Sequence, residues 1–273
     1  MGLFFIFMND IALVMGVGAP DVCKSGDKTM CAILLSDRLG FFRIYPVPAE
    51  NRFPVWSEIE VELERPETDS RDESWKLKSW NVIRQIKNPT EKRQILDSCC
   101  LKSGAEDPIT FQNAQRKSIA LVKPAPRSLG GTLIPREVVR TDNDWVYDKK
   151  RAYNKPALNW KSEQGSSHQS QLVSREVYEC FRNYPDRPFD LFTNMQLGNP
   201  DWDFWLLLGN LKYRRNIWVA VHVHRLKKTT SRSTNLCLNL ESGRQEGWPY
   251  YAQATGNVPV VDNQLLMFTT SDT

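Results

Sequence analysis

Trp56-Ser-Glu-Ile-Glu-Val-Glu-Leu-Glu64 alternates residue by residue. Ile59, Val61 and Leu63 fall on one face, and Glu58, Glu60, Glu62 and Glu64 on the other. A period of two is that of a half-buried strand, because successive side chains leave a pleated backbone on opposite sides. Four carboxylates along one face repel one another, so that face is expected to be solvated or paired with basic neighbours.

Toward the amino end the same reading continues. Ile11 to Val17 is an apolar run closed by Gly18, Pro20 and Asp21, which reads as a buried strand and a turn. Met30 to Leu35 is a second run, and Gly40 to Pro46 a third, stopped by Pro46 and Pro48. The opening Met1-Gly-Leu-Phe-Phe-Ile-Phe-Met8 is apolar but has no preceding cation, and Asn9-Asp10 interrupts it. It therefore reads as a strand, or as a short extension ahead of Met8 as the start, and not as a secretory peptide or a membrane span.

Toward the carboxyl end, helix signals enter. Asn88-Pro89-Thr90-Glu91 supplies an N-cap, a proline at the first helical position and an acidic first turn. It predicts a helix to about Leu101, with Ile95, Leu96 and Cys99 inward. Asp107-Pro108 opens a shorter helix in the same way, and Ser118 to Lys123 reads as a strand ended by Pro124 and Pro126. Residues 126–171 look irregular, with a polar loop at Lys161 to Gln171. Val177, Cys180, Phe181 and Tyr184 form one helical stripe, and Asp186 to Leu197 a second helix closed by Gly198. Trp202 to Leu208 and Ile217 to Leu226 are apolar strands joined as a hairpin, with further strands at Leu236 to Leu240 and Val258 to Thr269. No internal repeat is evident.

The 273 residues are 41% apolar and 25% charged, a globular composition that excludes a membrane bundle, a collagen-like chain and a disulfide mini-protein. Thirty-six Lys and Arg against 32 Asp and Glu give +4, too mild to imply a nucleic-acid partner by itself. The six cysteines, Cys23, Cys31, Cys99, Cys100, Cys180 and Cys237, form no CxxC pair and read as reduced core residues of a cytoplasmic protein. No nucleophile elbow, Walker loop or dinucleotide glycine motif is present.

Three constellations carry candidate chemistry. Between Phe204 and Leu240 there are seven basic residues and no acidic one: Lys212, Arg214, Arg215, Arg225, Lys227, Lys228 and Arg232. Tyr213 and Trp218 are interleaved with them, and phosphates need cations while unpaired bases stack on aromatic faces. If the hairpin forms, its loop end and strand exit are expected to hold these cations together. His222 and His224 share a strand face, where both imidazoles could ligate one metal; the one other histidine, His168, lies in the polar loop, so the third ligand would be a carboxylate or Cys237. Asp201 and Asp203 bracket Trp202, and Asp142, Asp144, Asp148 and Lys150 lie in a polar stretch; both sets read as turn and strand-end residues. Trp75, Trp80, Trp145, Trp160, Trp202, Trp205 and Trp218 read as core or semi-buried residues, with a stacking platform as the alternative.

Thr29-Met-Cys-Ala-Ile33, Gly40-Phe-Phe-Arg-Ile-Tyr-Pro-Val-Pro48, Trp56 to Glu64 and Asp69-Ser-Arg-Asp-Glu-Ser-Trp-Lys76 together resemble a widespread family of uncharacterised prokaryotic proteins. Its marks are an R-I-Y-P-V-P stretch and an R-x-E-S-W-K signature; Ile33 stands where that family carries glycine. Ser174 to Val177 and Phe204 to Val223 look like its second half. The resemblance implies a bacterial origin in a mobile-element or phage-defence setting and names no catalytic residue. Physically, Arg71 is free to pair with Glu73 or with the acidic strand, with Trp75 plugging a barrel end; a ligand pocket at the same place is the alternative.

These readings give an α+β protein. Residues 1–125 form a small twisted barrel-like sheet with two short helices, 126–171 an irregular connection, and 172–273 an antiparallel sheet with one or two helices and the basic hairpin. The expected function is a nucleic-acid-binding accessory protein without catalysis of its own, using DNA or RNA as partner, with no cofactor, no metal and no membrane. The alternatives are a metal-dependent hydrolase or nuclease centred on His222 and His224, and a protein-interaction module using strand 58–64.

Overall fold

The computed structural model describes residues 7–22, 27–67, 69–136, 153–184 and 190–228. The chain is α+β, built largely from strands. The first part contains β1 (Phe7–Val17), β2 (Asp21–Val22), β3 (Lys28–Ser36), β4 (Gly40–Pro48), β5 (Ser57–Glu64) and β6 (Ser74–Gln85). They are ordered β1-β5-β6-β4-β3-β2, and an additional β1–β3 pairing closes the ring. Every neighbour is antiparallel except β4 and β6, which run parallel at Arg43/Ser74 and Ile44/Trp75. Leaving the two-residue edge strand β2 aside, the closed strands taken in chain order run 1-2-3-5-4-1. This is a five-stranded Greek-key barrel, the arrangement of the OB-fold.

Helices α1 (Pro89–Cys99) and α2 (Pro108–Ala114) lead to β7 (Ile119–Val122), β8 (Gly130–Arg136), β9 (Tyr153–Lys161) and β10 (Ser167–Gln171). Then come α3 (Arg175–Asn183), α4 (Asp190–Asn194), β11 (Trp202–Leu211) and β12 (Arg214–Lys227). β10-β9-β8 form one sheet and β12-β11-β7 another. A parallel bridge between Leu172 and Ala220 links them, reinforced by Val173 N donating to Ala220 O at 2.8 Å. Pro124 and Pro126 interrupt the chain between β7 and β8. Counted as two halves of one bent strand, they complete the same 1-2-3-5-4-1 order. Two barrels of one topology thus follow each other without any repeat in sequence.

Three apolar clusters follow from strand alternation. Ala12, Val14, Phe42, Ile44, Ile59, Val61, Leu63 and Trp75 fill the first barrel. Leu158, Trp160, Leu172, Phe204, Leu206, Leu208 and Trp218 fill the second. The opposite faces of the same strands, Leu13, Met15, Ile33 and Leu35 against Leu121, Trp205, Leu207 and Val219, form a third cluster between the barrels. Strands buried on both faces read as continuous apolar runs, which accounts for Ala12–Val17 and Trp205–Leu208. Gly16 is required there: a Cβ on it would stand 2.8 Å from both the His222 Cβ and Leu207 Cδ2.

Several expectations change. Within 126–171, the described stretches 130–136, 153–161 and 167–171 are strands of the second barrel, where an irregular connection was expected. Trp75 lies within a strand, β6, that the sequence reading did not mark. The first unit does not run to 125, since β7 pairs with β11 of the second barrel. The α3 stripe buries Val177, Tyr178 and Cys180, while Tyr184 is exposed. Helices α1 and α2 start as predicted: Asn88 Oδ1 accepts from Thr90 N at 2.8 Å, and Asp107 Oδ1 from Ile109 N and Thr110 N at 3.1 Å each. The strands expected at 236–240 and 258–269 lie outside the described residues. Among the described residues no helix is long and apolar enough to cross a membrane.

Candidate nucleic-acid interface

β11 and β12 pair from Trp202/Lys227 to Leu211/Arg214, so the basic hairpin exists. Its ten-residue arm carries the cations to two ends, about 30 Å apart at the usual rise of a strand. Lys212, Tyr213, Arg214 and Arg215 form the tip; Arg225, Lys227 and Lys228 lie at the base. The expected single patch is therefore two. Trp218 lies between them, buried in the second core, with Nε1 donating to Asn113 Oδ1 at 3.0 Å, so its ring offers no stacking surface. Arg232 lies outside the described residues.

The tip is the link between the fourth and fifth strands of the second barrel. Tyr213 is 87% exposed, and the Lys212 ammonium stands 5.0 Å from its ring centroid. Two further cations meet the tip that hairpin reasoning missed. Asn210 Nδ2 donates to the carbonyls of Arg215 at 3.2 Å and Lys117 at 3.5 Å, which brings the α2–β7 turn, with exposed Arg116 and Lys117, alongside the hairpin. Among the described residues, Arg116, Lys117, Lys212, Arg214 and Arg215 have no carboxylate partner. The adjacent Arg116-Lys117 pair was the only available signal, and it sits far away in sequence.

The resemblance signature builds the support beneath this end. Asn210 O accepts from Arg43 Nη1 at 3.2 Å and Arg71 Nη1 at 3.0 Å. Arg43 Nη2 also donates to Ser118 O at 2.6 Å, and Glu73 accepts from Ser118 N at 3.0 Å and Oγ at 3.1 Å. Arg71 pairs with Asp69, not with Glu73 or the acidic strand, at 2.5 Å. Burial pushes the Asp69 carboxyl up, but the hydrogen bonds and charge of Arg71 outweigh it and hold it at about 2. Burial pulls the Arg43 guanidinium down from its ordinary value. Trp75 is buried in the first core, with the Arg65 guanidinium 3.8 Å over its ring. Arg215 Nη2 reaches Ser70 Oγ at 3.2 Å, so the loops joining fourth and fifth strands of the two barrels touch.

At the base, Arg225 and Lys227 stand 5.2 Å and 5.7 Å from the half-buried Trp202 ring. Arg225 Nη1 also donates to Asn194 O at 2.5 Å. Asp203, expected as a strand-end residue, pairs with Arg93 at 2.6 Å and Lys123 at 3.9 Å.

The other candidates are engaged in structure. His222 and His224 share the inter-barrel face of β12, with ring centroids 4.6 Å apart. His222 Nδ1 lies 3.5 Å from Glu176 Oε1, beside a cavity of only about 20 Å³. Burial, then the neighbouring His222 and Lys92, push His224 well below the ordinary histidine range. Among the described residues no group of three His, Cys, Asp or Glu is arranged to hold a metal. His168 instead stacks on Trp160 and meets Asp107 at 2.8 Å. Two carboxylates of the acidic strand are ion-paired, Glu58 with Arg84 at 2.5 Å and Glu64 with Lys78 at 2.8 Å and Lys76 at 3.6 Å, while Glu60 is exposed and Glu62 accepts from the Ser79 hydroxyl. Cys31, Cys99 and Cys100 are free thiols, and Cys180 is buried in the second core; Asp142, Asp144, Trp145, Asp148, Lys150, Cys23 and Cys237 lie outside the described residues.

Residues 9–98 match a family model described as a domain of unknown function, DUF8758. The matched segment runs from β1 into α1, so it covers the first barrel and the signature residues Arg43, Arg71 and Glu73. No curated protein matches the chain. Among solved structures, a murine DNA-binding protein bound with double-stranded DNA is 8% identical over 83% of this chain and 99% of that one. Its TM-score is 0.22.

Proposed function

We propose that the protein binds nucleic acid through the hairpin tip and the α2–β7 turn, as an accessory protein without catalysis of its own. The observation that carries this reading is that Asn210, bonded to the carbonyls of Lys117 and Arg215, brings Arg116 and Lys117 alongside the tip that holds Lys212, Arg214, Arg215 and the exposed Tyr213. Barrels of this topology bind oligonucleotides with the face of their second and third strands and with the loops between first and second and between fourth and fifth strands. The tip is a loop of the second kind. Cations beside a free aromatic face suit a single strand, whose unpaired bases stack while its phosphates are neutralised. The setting that goes with this reading is cytoplasmic, within a larger bacterial machine of the mobile-element or phage-defence kind.

The test is binding of labelled single-stranded DNA and RNA oligomers, measured against salt. Neutralising about five phosphates of a single strand predicts a log–log salt slope of about −3.5. Arg214→Glu with Arg215→Glu is expected to flatten that slope and to weaken binding at least tenfold. Affinity for both oligomers unchanged in that double variant overturns the proposal.

A further inference from the structure

At the base of the hairpin, the β7–β8 bend faces the entry of β11 across a cleft of about 170 Å³. Pro124, Pro126, Pro200 and Trp202 give it apolar walls, and Lys123, Arg127 and Lys228 bring cations to it. Asp203 is the one carboxylate among its lining residues, and Arg93 and Lys123 already hold it. Arg127 and Lys228 are exposed and, among the described residues, have no carboxylate partner. Gly198 keeps one wall open: its φ of +77° is a conformation that side chains rarely adopt, and a Cβ there would stand 3.2 Å from Leu129 O.

A flat ring and an anion are what such a lining can hold together. Proline rings and the edge of an indole shed water readily against a planar heterocycle. Two unpaired cations at the mouth suit a phosphate, and neither is spent on a protein carboxylate. We infer that this cleft binds a nucleotide monophosphate unit, with the phosphate between Arg127 and Lys228 and the base against Trp202 and the proline walls. The unit is either a free mononucleotide or the phosphorylated end of a strand. The site is separate from the tip and does not depend on its role.

Titration calorimetry on the full chain tests this with UMP, AMP, inorganic phosphate and uridine. The nucleotides are expected to saturate at millimolar concentration or below, with phosphate and uridine each at least tenfold weaker. Arg127→Ala with Lys228→Ala is expected to weaken nucleotide binding at least tenfold. Both side chains are exposed, so this variant should keep the far-ultraviolet spectrum and melting temperature of the parent. Arg214→Glu with Arg215→Glu at the tip should leave nucleotide binding unchanged. A 5′-phosphorylated dinucleotide binding more tightly than UMP makes the occupant a strand end; equal or weaker binding makes it the free nucleotide. No saturation by any nucleotide overturns the inference, as does binding that survives the base variant or falls with the tip variant.

Discussion

His224 sits fully enclosed on the face of β12 that meets the first barrel, with neither ring nitrogen hydrogen-bonded to a side chain and its ring 5.0 Å from that of Trp56. Its neutral form is the folded form, so the unfolded chain binds the extra proton. The group therefore adds stability that is complete above the unfolded pKa of about 6.5 and lost as pH falls below it. Chemical denaturation at pH 7 and at pH 5 should show the parent losing stability on acidification. The variant His224→Phe should lose less, with the difference approaching about 1.4 kcal/mol per pH unit at most. His222, Glu176 and Lys92 lie in the same surroundings, so the comparison between the two proteins carries the result. At this scale the sequence was readable where chemistry is local. The shared face of His222 and His224 followed from spacing, but their burial depends on Gly16, more than two hundred residues away.

Elements were legible where one residue type enforces the geometry. Asn88-Pro89 and Asp107-Pro108 each announced a helix, because a side-chain acceptor and a fixed φ act within one turn. Asn88→Ala should lower stability by about 1 kcal/mol, read from the denaturation midpoint at constant m-value. Helix α1 carries Arg93 to Asp203 and the Lys227 carbonyl, so the same variant should loosen the hairpin base, visible as faster amide exchange near Lys227. Strands β6 and β10 were not legible. Bulges at Glu58/Ile59 and Glu62/Leu63 break the alternation of β6 against β5, and most of its side chains face solvent or pair with acids. In β10 the inward positions are His168 and Ser170, satisfied by Asp107 and by Trp160 Nε1, so no apolar period marks the strand.

The described residues form two barrels sharing one buried wall. Leu207 lies fully buried in that wall, and Leu207→Ala should cost about 3 kcal/mol. Tryptophan fluorescence and far-ultraviolet dichroism should follow one transition in the parent, because neither barrel can unfold without stripping the other. Two separated transitions would show that the wall is dispensable. The class of fold was legible from alternation, but the repeated topology was not, since strand order depends on pairings that no local pattern encodes. The division of the basic residues into two ends was hidden for a related reason: proximity in sequence along a hairpin arm is distance in space. The clasp of Arg43, Arg71 and Glu73 on Ser118 and Asn210 has a consequence for the segment 9–98. Cut out by itself, that segment would keep the Arg43 guanidinium without its acceptors on Ser118 and Asn210, and Arg71 with Asp69 but without the Asn210 carbonyl, along with a bare stripe of leucine, methionine and isoleucine. It is one side of a joint, and any protein that carries it in this form needs a companion surface to close it.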